Sequence, residues 1–203
     1  MVGGSPRGPY AKSALRRQQI IDQALDVFNE LGSDRTSLRS IADALGVTHP
    51  VLRHHFGSRE RLFLEVLRQA DARGRERLAG EGEGERSAAG FAAAIAHVVM
   101  GQPGLMPLYV TMIARALERE NADSRPFFAE RFRDMRSEVV AILREGQASG
   151  LVRDDIAVES AAAVIVAISD GLSTQWLIDP EVDFSEAMRL VDQLLAPPPP
   201  RDA

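Results

Sequence analysis

The stretch Thr36-Ser-Leu-Arg-Ser-Ile-Ala-Asp-Ala-Leu-Gly-Val-Thr-His-Pro-Val-Leu-Arg-His-His-Phe-Gly-Ser-Arg59 decides the fold of this chain. Leu38, Ile41, Ala42 and Leu45 recur at helical spacing, so the first half carries one apolar face that must be buried. Gly46 follows directly, and a glycine just past the last periodic residue supplies a left-handed C-terminal cap from which the chain can turn. Thr48-His49-Pro50 then starts a second helix. Proline fits only the first turn and biases the residue before it away from helix, which puts Pro50 at the first position with Thr48 or His49 as cap. Two short helices meeting at a glycine turn are a helix-turn-helix.

In the second of these helices Leu52 and Phe56 face inward, while Val51, Arg53, His54 and His55 offer donors, acceptors and small contacts. A narrow helix with such a face suits the DNA major groove, whose width admits one helix and whose base edges carry a readable pattern of donors and acceptors. A helical hairpin with a merely solvated polar face is the plainer alternative.

Ala42 through Phe63, with Gly46-Val47-Thr48, Leu52, His55-Phe56, Gly57-Ser58-Arg59-Glu60 and Leu62-Phe63, resembles the DNA-binding half of TetR/AcrR-family repressors. The helix from Ile20 to Gly32, followed by Thr36-Ser37, is similar to the family's first helix and its approach to the second. The resemblance spans about residues 12 to 77, and beyond it rests on helical pattern and size alone. It implies an all-α protein in which a three-helix DNA-binding domain precedes a larger helical ligand-binding and dimerisation domain. Thr36, Ser37, Arg39, Thr48 and Arg59 are then expected to hold phosphates. His49, Val51, Arg53 and His54 are expected to reach base edges or nearby sugars, with Pro50 and His55 beside them. Two positions depart from the family pattern. Arg53 stands where a tyrosine is usual, and arginine can pair both acceptors of a guanine. Arg59 replaces a lysine at a helix N-terminus, where backbone amides already favour an anion.

With 203 residues, 45% of them apolar, the chain can bury one small domain and a larger one. It contains no run of eighteen apolar residues and starts without the apolar segment of a secretion signal, so the expected location is cytoplasmic, with no membrane partner. The absence of cysteine excludes disulfides and thiolate chemistry. The net charge of −5 looks wrong for a DNA binder until it is divided along the chain. Residues 1–60 hold eight Lys or Arg against six acids, a balance of +2, whereas residues 61–203 hold 16 against 23, a balance of −7. One end suits phosphates and the other avoids them, although chance scatter among solvated charges also accounts for so small an excess.

Residues 1–11 read as a disordered arm rich in Gly, Pro and Ser, with Arg7, Lys12, Arg16 and Arg17 available to a phosphate strand. The DNA-binding domain is expected over 12–59 and the helical effector and dimerisation domain over 60–196. The latter begins with a connector helix from Arg61 to about Arg77. A flexible loop is expected at Gly80–Arg86, helices near 87–101, 104–122, 125–149, 155–179 and 184–195, and an extended proline tail at 197–203. In the family the tilt of the connector carries the signal between domains.

The helix near 155–179 is apolar nearly all round from 161 to 168 and needs cover on two sides. Ala161, Val164, Ile168, Gly171 and Leu172 are expected to meet a second copy, giving a two-fold dimer and a near-palindromic operator; a central helix in a monomeric bundle would carry the same pattern. Phe91, Met106, Met112, Phe128, Phe132, Met135 and Trp176, with His97, Tyr109 and Asp170 as polar groups, form a candidate pocket for a small, largely apolar effector. Core packing alone explains any one of them.

Catalysis finds no support. His49, His54 and His55 lie in the recognition segment, His97 stands alone, and zinc on the first three would compete with DNA, so neither a metal nor a cofactor is expected. The expected function is a sequence-specific regulator, a repressor released from double-stranded DNA by its effector. The alternatives are a DNA-binding adaptor governed by a protein partner and a non-specific structural DNA binder.

Overall fold

The computed structural model describes residues 9–31, 37–80, 87–101, 104–118 and 123–198. Among these the chain is all-α: α1 (Pro9–Leu31), α2 (Leu38–Ala44), α3 (His49–Phe56), α4 (Arg59–Gly80), α5 (Ala88–Met100), α6 (Leu105–Ala116), α7 (Ser124–Ala148), α8 (Val158–Ile178) and α9 (Phe184–Leu195). The Gly80–Arg86 loop, Pro103 and the tail beyond 198 fall largely or wholly outside the described residues. So do Thr36 and the first eight residues of the expected arm; residues 9–11 belong to α1. α6 stops at Ala116, short of the expected 122, where Leu117 turns out 74% exposed and the sequence becomes polar, leaving no apolar face to bury.

The helix-turn-helix is built by local capping. Ser37 accepts the Ser40 backbone N–H at 3.0 Å while the Ser40 hydroxyl accepts the Ser37 N–H at 2.7 Å, a reciprocal box that starts α2. At its far end Gly46, at φ 59°, donates to Asp43 O and Val47 donates to Ala42 O, which is the paired-bond ending that a left-handed glycine permits. Thr48 caps α3 without a side-chain bond, and Pro50 takes the second position, where a missing N–H costs nothing. Gly57 ends α3 at φ 76°, ψ −51°, and α4 follows at once, two residues ahead of its expected start.

Two apolar cores hold the helices. The first gathers Ile20 and Ala24 of α1, Ile41 of α2, Leu52 and Phe56 of α3, and Leu62, Val66 and Leu67 of α4; it continues without a break into Leu105, Leu108 and Met112 of α6 and Phe127 and Phe128 of α7. Apolar packing therefore runs across residue 60, the expected domain boundary. The second core joins α5, the later turns of α7, α8 and α9 through Ala92, Met135, Val139, Leu143, Ile165 and Met188.

Within the doubly apolar helix, Ala162, Ile165, Val166 and Ser169 are buried, while Ala163, Val164 and Ala167 are exposed. By length and composition α8 is the one helix among the described residues that would suffice to cross a membrane, which the count of consecutive apolar residues had not suggested. In this fold it packs against α5, α6, α7 and α9.

Candidate DNA-binding face and its link to the larger helical region

Leu52 and Phe56 anchor α3 in the first core, so the residues on its opposite side are left to solvent. His49, Pro50, Arg53 and His54 all lie exposed there, and the i, i+4 spacing of 49 with 53 and of 50 with 54 places them on one outward face. Thr48, Arg39 and Ser37 are exposed at the neighbouring turn and on α2. Val51 is half-buried against the core. The hydroxyl oxygen of Ser37 is engaged in the α2 cap. Arg59 is exposed at the start of α4 with its guanidinium 4.6 Å from the Phe63 ring centre.

His55 is turned away from that face. It is half-buried, and burial, His54, Arg17 and Arg16 together push its pKa below the ordinary histidine value. It opens on a cleft of ≈ 480 Å³ that also includes Arg17, Arg61, Phe127 and Glu130, between the DNA-binding helices and α7. Arg17, expected to be available to a phosphate strand, lies instead 5.1 Å from the Phe56 ring centre and pairs with Glu65 at 3.0 Å, tying α1 to α4.

The expected pocket residues do not form one group. Met106, Tyr109, Met112 and Phe128 are buried in the first core, Met135 is buried in the second with Phe91 against it, and Phe132 packs on both. His97 and Trp176 line a separate open cleft of ≈ 360 Å³ with Met100, Phe184 and Ser185. Asp170 is half-buried where α8 meets α6. Of the expected dimer contacts, Val164 and Gly171 are exposed, whereas Ala161, Ile168 and Leu172 are half-buried against the second core. Leu190 and Leu194 of α9, at 53% and 64% exposure, add to the uncovered apolar surface of this end.

Sequence reasoning named Tyr109 and Asp170 but missed Arg131 and Asp71, the charged pair at the polar centre of the protein. Arg131 of α7 is buried and donates from Nε and Nη2 to the two oxygens of Asp71 of α4, at 2.7 and 3.0 Å. Its Nη1 donates to the Tyr109 hydroxyl of α6 at 2.9 Å, and that hydroxyl donates to Asp170 of α8 at 3.0 Å. Burial opposes the charge on Arg131, yet Tyr109 and Asp71 outweigh it and hold the guanidinium above its usual pKa. Burial also raises Tyr109 against the pull of Arg131. At Asp170 burial again leads and raises the carboxyl above the ordinary range, only partly offset by Arg131 and the Tyr109 hydrogen bond. A detectable signal existed: Arg131 falls between Phe127 and Met135 at helical spacing, and Asp71 follows Leu67 by one turn, so both charges occupy core positions. Among the described residues no cluster of His, Asp and Glu could hold a metal ion.

The family model described as "Bacterial regulatory proteins, tetR family" matches residues 20–66, and that described as "BetI-type transcriptional repressor, C-terminal" matches residues 100–197. The HTH-type transcriptional repressor Rv1474c of Mycobacterium tuberculosis is 27% identical over 161 residues, covering 78% of this chain and 81% of that protein. A putative transcriptional regulator from Saccharomonospora viridis, solved in complex with choline, superposes with a TM-score of 0.69 at 19% identity over 89% of this chain and 95% of that one. The regulator FadR from Bacillus subtilis, solved in complex with stearoyl-CoA, superposes with a TM-score of 0.64 at 22% identity over 88% and 97%. With its helix-turn-helix, its second helical core and both halves matched, this chain belongs to the TetR family of DNA-binding transcriptional regulators.

Proposed function

We propose that the chain is a homodimeric cytoplasmic repressor, not an enzyme, which holds a near-palindromic operator through two copies of α3 and releases it when a small, largely apolar effector binds the larger helical region. The observation that carries this is the outward face of α3, where His49, Pro50, Arg53 and His54 stand exposed on a helix fixed from behind by Leu52 and Phe56. Arg39, Thr48 and Arg59 flank that face as phosphate contacts, with Ser37 also serving its cap, and Arg53 reads a guanine.

Dimerisation is placed on the uncovered side of α8 and α9, around Val164, Ala167, Gly171, Leu190 and Leu194. Exposed apolar residues gathered at one end of a fold mark a contact surface, and two-fold pairing there supplies two recognition helices for two half-sites. The ligands of the fold's relatives, a choline and a stearoyl-CoA, support an effector-responsive reading without fixing the charge of the effector here. Any ligand that weakens operator binding is itself bound less tightly by the DNA-bound form, by the same factor.

The test is selection from a random DNA pool at moderate salt with the purified full chain. Enrichment of one near-palindrome is expected. Retention of DNA without enrichment would instead identify a non-specific DNA binder, whose affinity follows salt and hardly sequence.

A further inference from the structure

We infer that Arg131 is a positioning residue for operator binding: through Asp71 it fixes where α4, and with it α3, sits against the larger helical region. The inference rests on the operator-binding reading above. α4 and α7 run side by side in the same direction, because their ion pairs climb both helices together: Arg61 with Asp123 at 3.0 Å, Arg68 with Glu130 at 3.9 Å and Arg75 with Glu138 at 3.0 Å. Steps of seven on α4 meet steps of seven and eight on α7, so the register is regular along the contact. These outer pairs reach solvent, where such pairs hold little.

The pair in the middle differs. Arg131 and Asp71 are each 8% exposed, and the guanidinium spends its donors on both Asp71 oxygens and on Tyr109, whose ring it also faces at 4.8 Å. Tyr109 passes the connection to Asp170, so one hydrogen-bonded relay visits α4, α7, α6 and α8. The apolar residues of the same core, Leu67, Ala70, Met112 and Phe127 among them, are held by a force without direction, which does not of itself name one register. The relay does. A shift of α4 by one helical turn, about 5.4 Å, would strand a guanidinium and a carboxylate in the interior, where each needs its partner. Replacing a buried ion pair by apolar residues of the same volume is often neutral or stabilising, so the role assigned to this pair is the selection of one arrangement. Because only Gly57 and Ser58 separate α3 from α4, selecting the pose of α4 selects the pose of α3.

The full chain contains no cysteine, so a distance is measurable directly. Asp43→Cys on α2 and Ser137→Cys on α7, both exposed, are spin-labelled and diluted with unlabelled chain so that pulsed dipolar spectroscopy reads the distance within one protomer. Into this background go the paired apolar variant Asp71→Leu/Arg131→Met and, separately, Tyr109→Phe. The paired variant is expected to melt at or above the wild-type temperature, yet to show a broadened or displaced distance and at least tenfold weaker binding to the selected operator. Tyr109→Phe, which removes one hydroxyl, is expected to change distance and affinity in the same direction by less. A paired variant that keeps the single wild-type distance and an affinity within twofold overturns the proposal. If it does not fold, Tyr109→Phe decides alone, and unchanged distance and affinity overturn it equally. Should the random pool yield no operator, the distance still judges the relay, so failure of the repressor reading and failure of the positioning role are told apart.

Discussion

Replacing Arg59 by Gln in the proposed dimer would remove two positive charges from the proposed operator face. Arg59 is exposed at the first position of α4, with its guanidinium 4.6 Å from the Phe63 ring centre. If Arg39 and Arg59 each neutralise one phosphate per subunit, four contacts give a slope of log affinity against log salt of about −3.6, and the variant keeps about −1.8. Raising salt from about 50 to about 200 mM should then weaken the wild type about 150-fold and the variant about 12-fold. Fluorescence anisotropy with a labelled operator duplex across that range measures both. The loss should be the same on unrelated duplexes, because phosphates carry no sequence. An unchanged slope would refute the assignment and leave Arg59 as a packing residue on Phe63. Arg53→Gln is the contrast: an unchanged slope, with about 1–3 kcal/mol of discrimination lost at one base pair per half-site. If it behaves like Arg59→Gln, Arg53 is a backbone clamp.

The raised pKa of Asp170 means that the native state binds a proton more readily than the unfolded chain, so stability is present at low pH and lost as pH rises through the folded-state value. Asp170→Asn keeps an oxygen for the Tyr109 hydroxyl and should raise the melting temperature at about pH 7.5, with the gain shrinking toward about pH 4.5; a gain indifferent to pH would mean that ionisation is not the cost. Gly57→Ala meets nothing closer than Arg61 Nη1 at 3.6 Å, so its penalty is the backbone at φ 76° alone, about 1–3 kcal/mol by urea titration. A loss below about 0.5 kcal/mol would show that the turn relaxes. Val164→Glu, at a residue 55% exposed on α8, should convert the proposed dimer to monomer in sedimentation velocity; a variant that stays dimeric moves the interface elsewhere.

The helix-turn-helix was legible because its signals are local. Gly46, Pro50 and the inward pair Leu52 and Phe56 act within a few residues of themselves, and each takes the expected place except Pro50, which stands second in α3 and not first because Thr48 is the cap. The two-sided character of α8 was legible for the same reason, since exposed Ala163 and Val164 alternate with buried Ala162 and Ile165 within one turn. The relay was not. Arg131 and Asp71 are 60 positions apart and sit in stretches thick with other charges, where a solvated helix face is the ordinary expectation. Only their coincidence with the apolar stripe marked them, and a stripe does not name its partner. Tyr109 and Asp170 were picked out as polar groups in an apolar region, but their bond to each other depends on how α6 crosses α8.

The interleaving of the two cores bears on how such proteins can be recombined. α5 belongs to one core, α6 to the other, and α7 gives its first turns to one and its later turns to the other. No single cut in the chain separates them. A chimera joined at residue 60, intended to graft a new sensor onto this DNA reader, would leave Ile20, Leu52 and Phe56 to complete their core with foreign versions of the α4 residues they pack on and of the α6 and α7 residues that continue it. A successful hybrid must transplant α4 and the mating surfaces of α6 and the start of α7 together with the reader, as a mosaic of residues and not as a contiguous segment.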